Sequence, residues 1–151
     1  LEVIDQLSTK KEKLDAYLAP VGGGGLLAGT SVAIKALIPG SQIYGVEQEG
    51  FDDHVLSRKA GRRITIKQKK PTMCDALMAT TPGKMTWSIN SKTATDFLVV
   101  SEDEVAHAVA FAFLRLKLVV EPGGVVALAS LLEKKIEVAG KTIVIVLSVG
   151  I

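Results

Sequence analysis

At 151 residues, 48% hydrophobic and 23% charged, the chain has the length and make-up of one globular domain with a real core. A net charge of +2 is close to balance and argues against a nucleic-acid-binding stripe, so Lys67, Lys69 and Lys70, with Arg62 and Arg63 nearby, read as a solvated loop. Cys74 is the only cysteine, which excludes an internal disulfide or zinc framework and fits a reducing, cytoplasmic setting; no apolar run reaches membrane-spanning length.

In chain order, apolar residues at Leu1, Ile4 and Leu7 predict the last turns of a helix, and Ser8 to Lys13 a polar connection. Leu14 to Val21 reads as a short buried strand feeding Gly22 to Gly25, after which a helical pattern runs from Leu26 to Ile38 and stops at Pro39-Gly40. Gln42 to Gln48 is a second strand, completing a β-α-β unit with parallel strands. Phe51 to Ala60 is a predicted helix opened by Asp52 or Asp53 and closed by Gly61. Ile64 to Ile66 reads as a short strand, and Pro71 to Thr81 as a helix with Thr72 as N-cap. Phe97 to Val100 is another β segment. Ser101 and Glu104 form a capping box opening a helix through Leu116. Glu121-Pro-Gly-Gly124 interrupts, Val125 to Lys135 is helical again, and Thr142 to Val149 is a β-branched strand expected to be buried on both faces. Strands alternating with helices predict a three-layer α/β fold with a mainly parallel, twisted sheet. Both ends, at Leu1 and Ile151, are expected to be cuts from a longer chain.

Gly22 to Gly25 join an apolar strand to an apolar helix. Glycine lets the backbone take positive φ and lets a ligand approach its amides. The first amides of a helix lack intrahelical partners and carry the positive end of its dipole, so the stretch predicts an anion site, best suited to phosphate. Gly23, Gly25 and Ala28 also satisfy the dinucleotide fingerprint G-x-G-x-x-A, and Glu47 ends the next strand about where a ribose-binding acid belongs. A dinucleotide-binding oxidoreductase domain therefore stands as an alternative. His54, His107, Cys74, Trp87 and Phe113 receive no catalytic role: the cysteine and the two aromatics read as core, His107 as packed or surface, and His54 as a neighbour of the acidic cluster.

Five stretches in series carry a resemblance: Pro20-Val-Gly-Gly-Gly-Gly-Leu-Leu-Ala-Gly29, Gly45-Val-Glu47, Cys74-Asp-Ala-Leu77, Glu121-Pro-Gly-Gly124 and Val146-Leu-Ser148. Together they resemble the C-terminal half of the serine/threonine dehydratase and serine racemase family, the fold-type II pyridoxal phosphate enzymes. The resemblance implies one partial domain over 1–151, part of the large cofactor-binding domain. It implies that Gly22, Gly23, Gly24, Gly25 and Leu26 cradle the phosphate of pyridoxal 5′-phosphate through backbone amides. It further implies that Ser148 faces the pyridine nitrogen and that Glu121 lies close to the cofactor. Glu47, Phe51 and Asp53 fall where serine racemase and some relatives bind a divalent ion such as Mg or Ca, through two carboxylates and a backbone carbonyl.

The family reaction is β-elimination of water and ammonia from a hydroxy amino acid to give a 2-oxo acid, or racemisation, on a small amino-acid substrate. In that family the lysine joined to the cofactor precedes the tetraglycine loop. None of Lys10, Lys11 or Lys13 matches it, so no catalytic residue is assigned in this chain, and the chain alone is expected to be inactive. Ser148-Val-Gly-Ile151 departs from the family's Ser-Gly-Gly-Asn, placing a β-branched Val149 beside the expected ring. A homodimer, or pairing with a missing N-terminal portion, is the expected association, and a non-catalytic descendant that binds a phosphate ligand or dimerises is a further alternative.

Overall fold

The computed structural model describes residues 2–67 and 71–148; the expectations at Leu1, Lys69, Lys70, Val149, Gly150 and Ile151 lie outside the described residues. Helix α1 (Glu2–Thr9) leads to strand β1 (Ala16–Pro20), helix α2 (Gly25–Leu37), strand β2 (Gln42–Gln48) and helix α3 (Asp53–Ala60). Helix α4 (Lys84–Thr93), strand β3 (Asp96–Val100), helices α5 (Glu102–Phe111) and α6 (Val126–Leu132), and strand β4 (Ile143–Ile145) complete the order. The four strands form one parallel sheet in the order β3-β2-β1-β4.

Strand β1 is buried along its whole length because helices cover both faces. Its side chains alternate: Ala16 and Leu18 join a core with Val105 and Ala108 of α5 and Ala127 to Ala129 of α6, whereas Tyr17 and Ala19 join a second core with Leu27 and Ile34 of α2. Half-buried Val55 of α3 and Trp87 of α4 pack on this second core. These are the three layers the β-α-β pattern predicts. In the middle of β2, a Cβ on Gly45 would lie 2.7 Å from Phe97 and from Val21, so glycine there is a packing requirement.

The capping box is formed: Ser101 Oγ accepts from the Glu104 amide and Glu104 Oε2 from the Ser101 amide. The helix it opens ends at Phe111 and passes into a π-helical turn at Ala112–Leu116, and Lys117 takes φ 60°. Several expectations are corrected. Ile64 to Ile66 is not a strand; the Ile66 amide donates to Thr80 O at 2.9 Å. Pro71 to Thr81 contains only a 3-10 turn at Asp75–Leu77, because Thr72 spends its hydroxyl on the Cys74 amide and the Glu102 carboxylate instead of capping a helix. The strand expected over Thr142 to Val149 is half-buried at β4 rather than buried on both faces, and β4 pairs only with β1 among the described residues. Phe113 is 59% exposed, not core. Cys74 is core as expected, its thiol pushed up to about 12 by burial and by the nearby Glu102 carboxylate. Among the described residues no helix is long and apolar enough to cross a membrane.

Candidate cofactor site

The carboxyl ends of β1 and β4 and the turn before α6 converge on one cleft of about 260 Å³. It is lined by Gly22 to Gly25, Leu26, Glu121 and Ser148, the residues singled out from the sequence, together with Pro20, Ala76 and Leu77. Gly24 stands before α2 with φ 89°, a left-handed turn, and offers no side-chain acceptor to the helix start. Among the described residues the N–H groups of Gly22, Gly23, Gly24, Gly25 and Leu26 donate to no protein acceptor. Gly23, Gly25 and Leu26 are also exposed. Unpartnered amides at the first turn of a 13-residue helix are what an anion needs, so the donor set fits a phosphate group.

The carbonyls of the same loop point the other way. Gly23 O accepts from Thr86 Oγ1 at 2.6 Å and from the Gly83 amide at 3.2 Å, and Gly24 O accepts from Asn90 Nδ2 at 3.1 Å. The described peptide bonds are all trans, so within each peptide plane the following N–H points opposite to the carbonyl. Ser148 is exposed at the cleft, and its amide donates to Gly124 O at 3.3 Å. Glu121 O receives the Gly124 amide at 3.1 Å, which folds the Pro122–Gly124 turn back under the cleft.

The second group of candidates lies behind this loop, not in it. Glu47, Asp53 and His54 are fully buried, with one ligand-type atom from each within 4.8 Å of the others. Glu47 Oε1 accepts from the His54 amide at 2.8 Å and Oε2 from the Val55 amide at 2.9 Å, so its carboxylate fastens the start of α3. His54 Nδ1 sits 3.1 Å from Glu47 Oε1 and 3.2 Å from Asp53 Oδ1. Burial alone would lower the His54 pKa, but the Asp53 and Glu47 carboxylates overrule it and carry it up to about 9. Burial pushes Glu47 up to about 7 against the pull of the His54 bond. Asp53 Oδ2 is buried without a partner among the described residues, and Phe51 is buried beside the cluster's loop. Glu47 is fully buried, with both oxygens already accepting from the start of α3, so it is not presented to a ribose in the cleft, which removes the support it lent to the dinucleotide alternative. Sequence reasoning missed His54 as the centre of this cluster and missed Thr86 and Asn90 entirely.

The family description that matches residues 1–149 is "Pyridoxal-phosphate dependent enzyme". The chain is 35% identical over 150 residues to the L-threonine ammonia-lyase of Thermotoga maritima, covering 99% of this chain and 36% of that protein. It is 35% identical over 153 residues to the serine racemase of Mus musculus, covering 99% and 44%. The solved T.th. threonine deaminase superposes with a TM-score of 0.92 at 37% identity, over 99% of this chain and 50% of that one. The chain thus spans less than half the length of these two curated relatives.

Proposed function

The chain belongs to the pyridoxal-phosphate dependent enzyme family, and from that premise we propose that it is the C-terminal part of the cofactor-binding domain of a dehydratase-like lyase acting on a hydroxy amino acid. The product is a 2-oxo acid, with water lost across Cα–Cβ and ammonia released by hydrolysis. The observation that carries this reading is the row of unpartnered amides from Gly22 to Leu26 in the cleft shared with Glu121 and Ser148. Pyridoxal 5′-phosphate supplies the electron sink for chemistry at an amino acid's α-carbon. The chain's own part is to grip the phosphate through those amides, to offer the Ser148 hydroxyl to the ring nitrogen, and to wall the site with Ala76, Leu77 and Glu121. A neutral hydroxyl there would leave the ring nitrogen largely unprotonated, where a carboxylate partner would not.

Titration with pyridoxal 5′-phosphate and with NAD tests the reading: saturable binding of the first and none of the second is expected, and the reverse would overturn it. With serine or threonine, the 151-residue chain alone is expected to release no 2-oxo acid, since none of its residues is assigned the lysine's role. Formation of that product would refute this part.

Glu47, Phe51 and Asp53 form a divalent-ion site in the same reading, supported by the unpartnered Asp53 Oδ2 and by two carboxylates close together. His54 Nδ1 lies between those carboxylates, so an ion must take it as a ligand or displace it. Homodimerisation is also part of the reading, supported by the exposed apolar run of Phe113, Leu114, Leu116, Leu118 and Val119. Sedimentation at several concentrations that shows only monomer would refute the dimer.

A further inference from the structure

Successive glycines are the least self-ordering stretch a chain contains, because a residue without Cβ samples both signs of φ. Nothing within Gly22 to Gly25 fixes which way their peptide planes turn. An anion cradle nonetheless needs their N–H groups presented to one side. They are set from outside: Gly24 O takes the Ala28 amide of α2 at 3.0 Å and Gly23 O the Gly83 amide at 3.2 Å, and α4 adds one side-chain donor to each. Thr86 Oγ1 holds Gly23 O at 2.6 Å, and Asn90 Nδ2 holds Gly24 O at 3.1 Å. Four residues apart, Thr86 and Asn90 stand on the same face of that helix. Asn90 is fully buried, and a carbonyl accepts only, so it is the amide nitrogen of Asn90 that must face Gly24. The fit is close: a Cβ on Gly24 would come within 2.7 Å of Asn90 Nδ2 and 3.1 Å of Thr86 Oγ1.

We propose that Asn90 and Thr86 are positioning residues that aim the phosphate cradle: by holding the Gly24 and Gly23 carbonyls, they turn the Gly25 and Gly24 amides into the cleft. The proposal rests on reading that loop as a phosphate site. Neither side chain is placed against the ligand; each acts through a peptide plane. Asn90→Leu keeps much of the side-chain volume but donates nothing, leaving Gly24 O to the Ala28 amide at 3.0 Å. Thr86→Val removes the hydroxyl at nearly constant shape, while Thr86→Ser keeps it.

The test is isothermal titration of the full chain with pyridoxamine 5′-phosphate, pyridoxamine and inorganic phosphate, ligands with no aldehyde to react with surface lysines. Asn90→Leu and Thr86→Val should each weaken the two phosphate ligands about tenfold, the scale of one lost hydrogen bond, and leave pyridoxamine unchanged. Thr86→Ser should restore binding. Variants that bind pyridoxamine 5′-phosphate as the parent does would overturn the positioning role, whatever their melting temperature. Equal weakening of pyridoxamine would overturn it too, by showing a general loosening of the fold. A parent chain that binds no phosphate ligand would instead overturn the phosphate reading itself, and this proposal with it. If Asn90→Leu does not fold, the half-buried Thr86, as valine against serine, decides the matter.

Discussion

His54 Nδ1 lies 3.1 Å from Glu47 Oε1, with both side chains sealed from solvent. Through this contact and the neighbouring Asp53, the folded protein holds the imidazole's proton up to about pH 9. The unfolded chain releases it near 6.5. A raised pKa contributes stability that is complete below the unfolded value and is lost as pH rises through the folded one. The melting temperature should therefore fall between pH 6.5 and 9, and His54→Gln should flatten that slope. A parent protein whose melting temperature is level across this window would show that the buried ring is neutral.

The same cluster bears on metal dependence. Asp53 Oδ2 has no partner among the described residues, so an added divalent cation finds one oxygen open there, while it must deprotonate or displace the His54 ring that now bridges the two carboxylates. Magnesium, calcium or manganese should raise the melting temperature, and Asp53→Asn should abolish the rise. Equal melting curves with ion and with chelator would exclude the site.

Gly24 and Gly23 should respond very unequally to alanine. At Gly24, φ is 89° and a Cβ would meet Asn90 Nδ2 at 2.7 Å and His54 Nε2 at 2.8 Å, so Gly24→Ala should cost more than about 1 kcal/mol in urea unfolding. At Gly23 nothing lies within 4 Å, and Gly23→Ala should change stability by less than about 0.5 kcal/mol.

Glu102 ties the segment before the cleft wall to the sheet. Its Oε1 accepts from Gln48 Nε2 and Thr72 Oγ1, both at 2.6 Å, and Oε2 from the Met73 amide at 3.1 Å. Glu102→Ala strands these donors and should cost about 1–3 kcal/mol. Hydrogen exchange should quicken at Ala76 and Leu77, which line the cleft. Unchanged exchange there would separate this carboxylate from the site.

What the sequence showed and what it hid have physical reasons. Strands β1 and β2 and helix α2 were legible because their apolar periods are clean and the glycines punctuate them. Gly22 to Leu26 were legible because glycines before a helix leave a row of open amides, whereas Glu121 and Ser148 came only from the family resemblance. Helix α4 left almost no such mark. Its apolar residues Met85, Trp87 and Ile89 alternate as in a strand, and Thr86, Ser88, Asn90 and Ser91 are weak helix formers. Tertiary contacts form it: Ser31 Oγ with Thr93 Oγ1 at 2.8 Å, and the Arg58 guanidinium on the Ser91 and Ala94 carbonyls at its end. Pro82-Gly83 is a breaker pair in sequence, yet Gly83 is the residue from which this helix starts. The predicted helix at Pro71 to Thr81 failed because Thr72 was needed by Glu102, a residue 30 positions away. The burial of Glu47 and His54 depends on how α3 docks, which no local pattern states.

A grip made of main-chain donors has no side-chain proton to lose and no formal charge to be screened away. Its hold should therefore follow acidity chiefly through the guest's own second ionisation. It also places the machinery beyond the reach of most point mutations, since exchanging a side chain elsewhere leaves a peptide N–H where it was; the exceptions are the few positions that set the angle of a peptide plane.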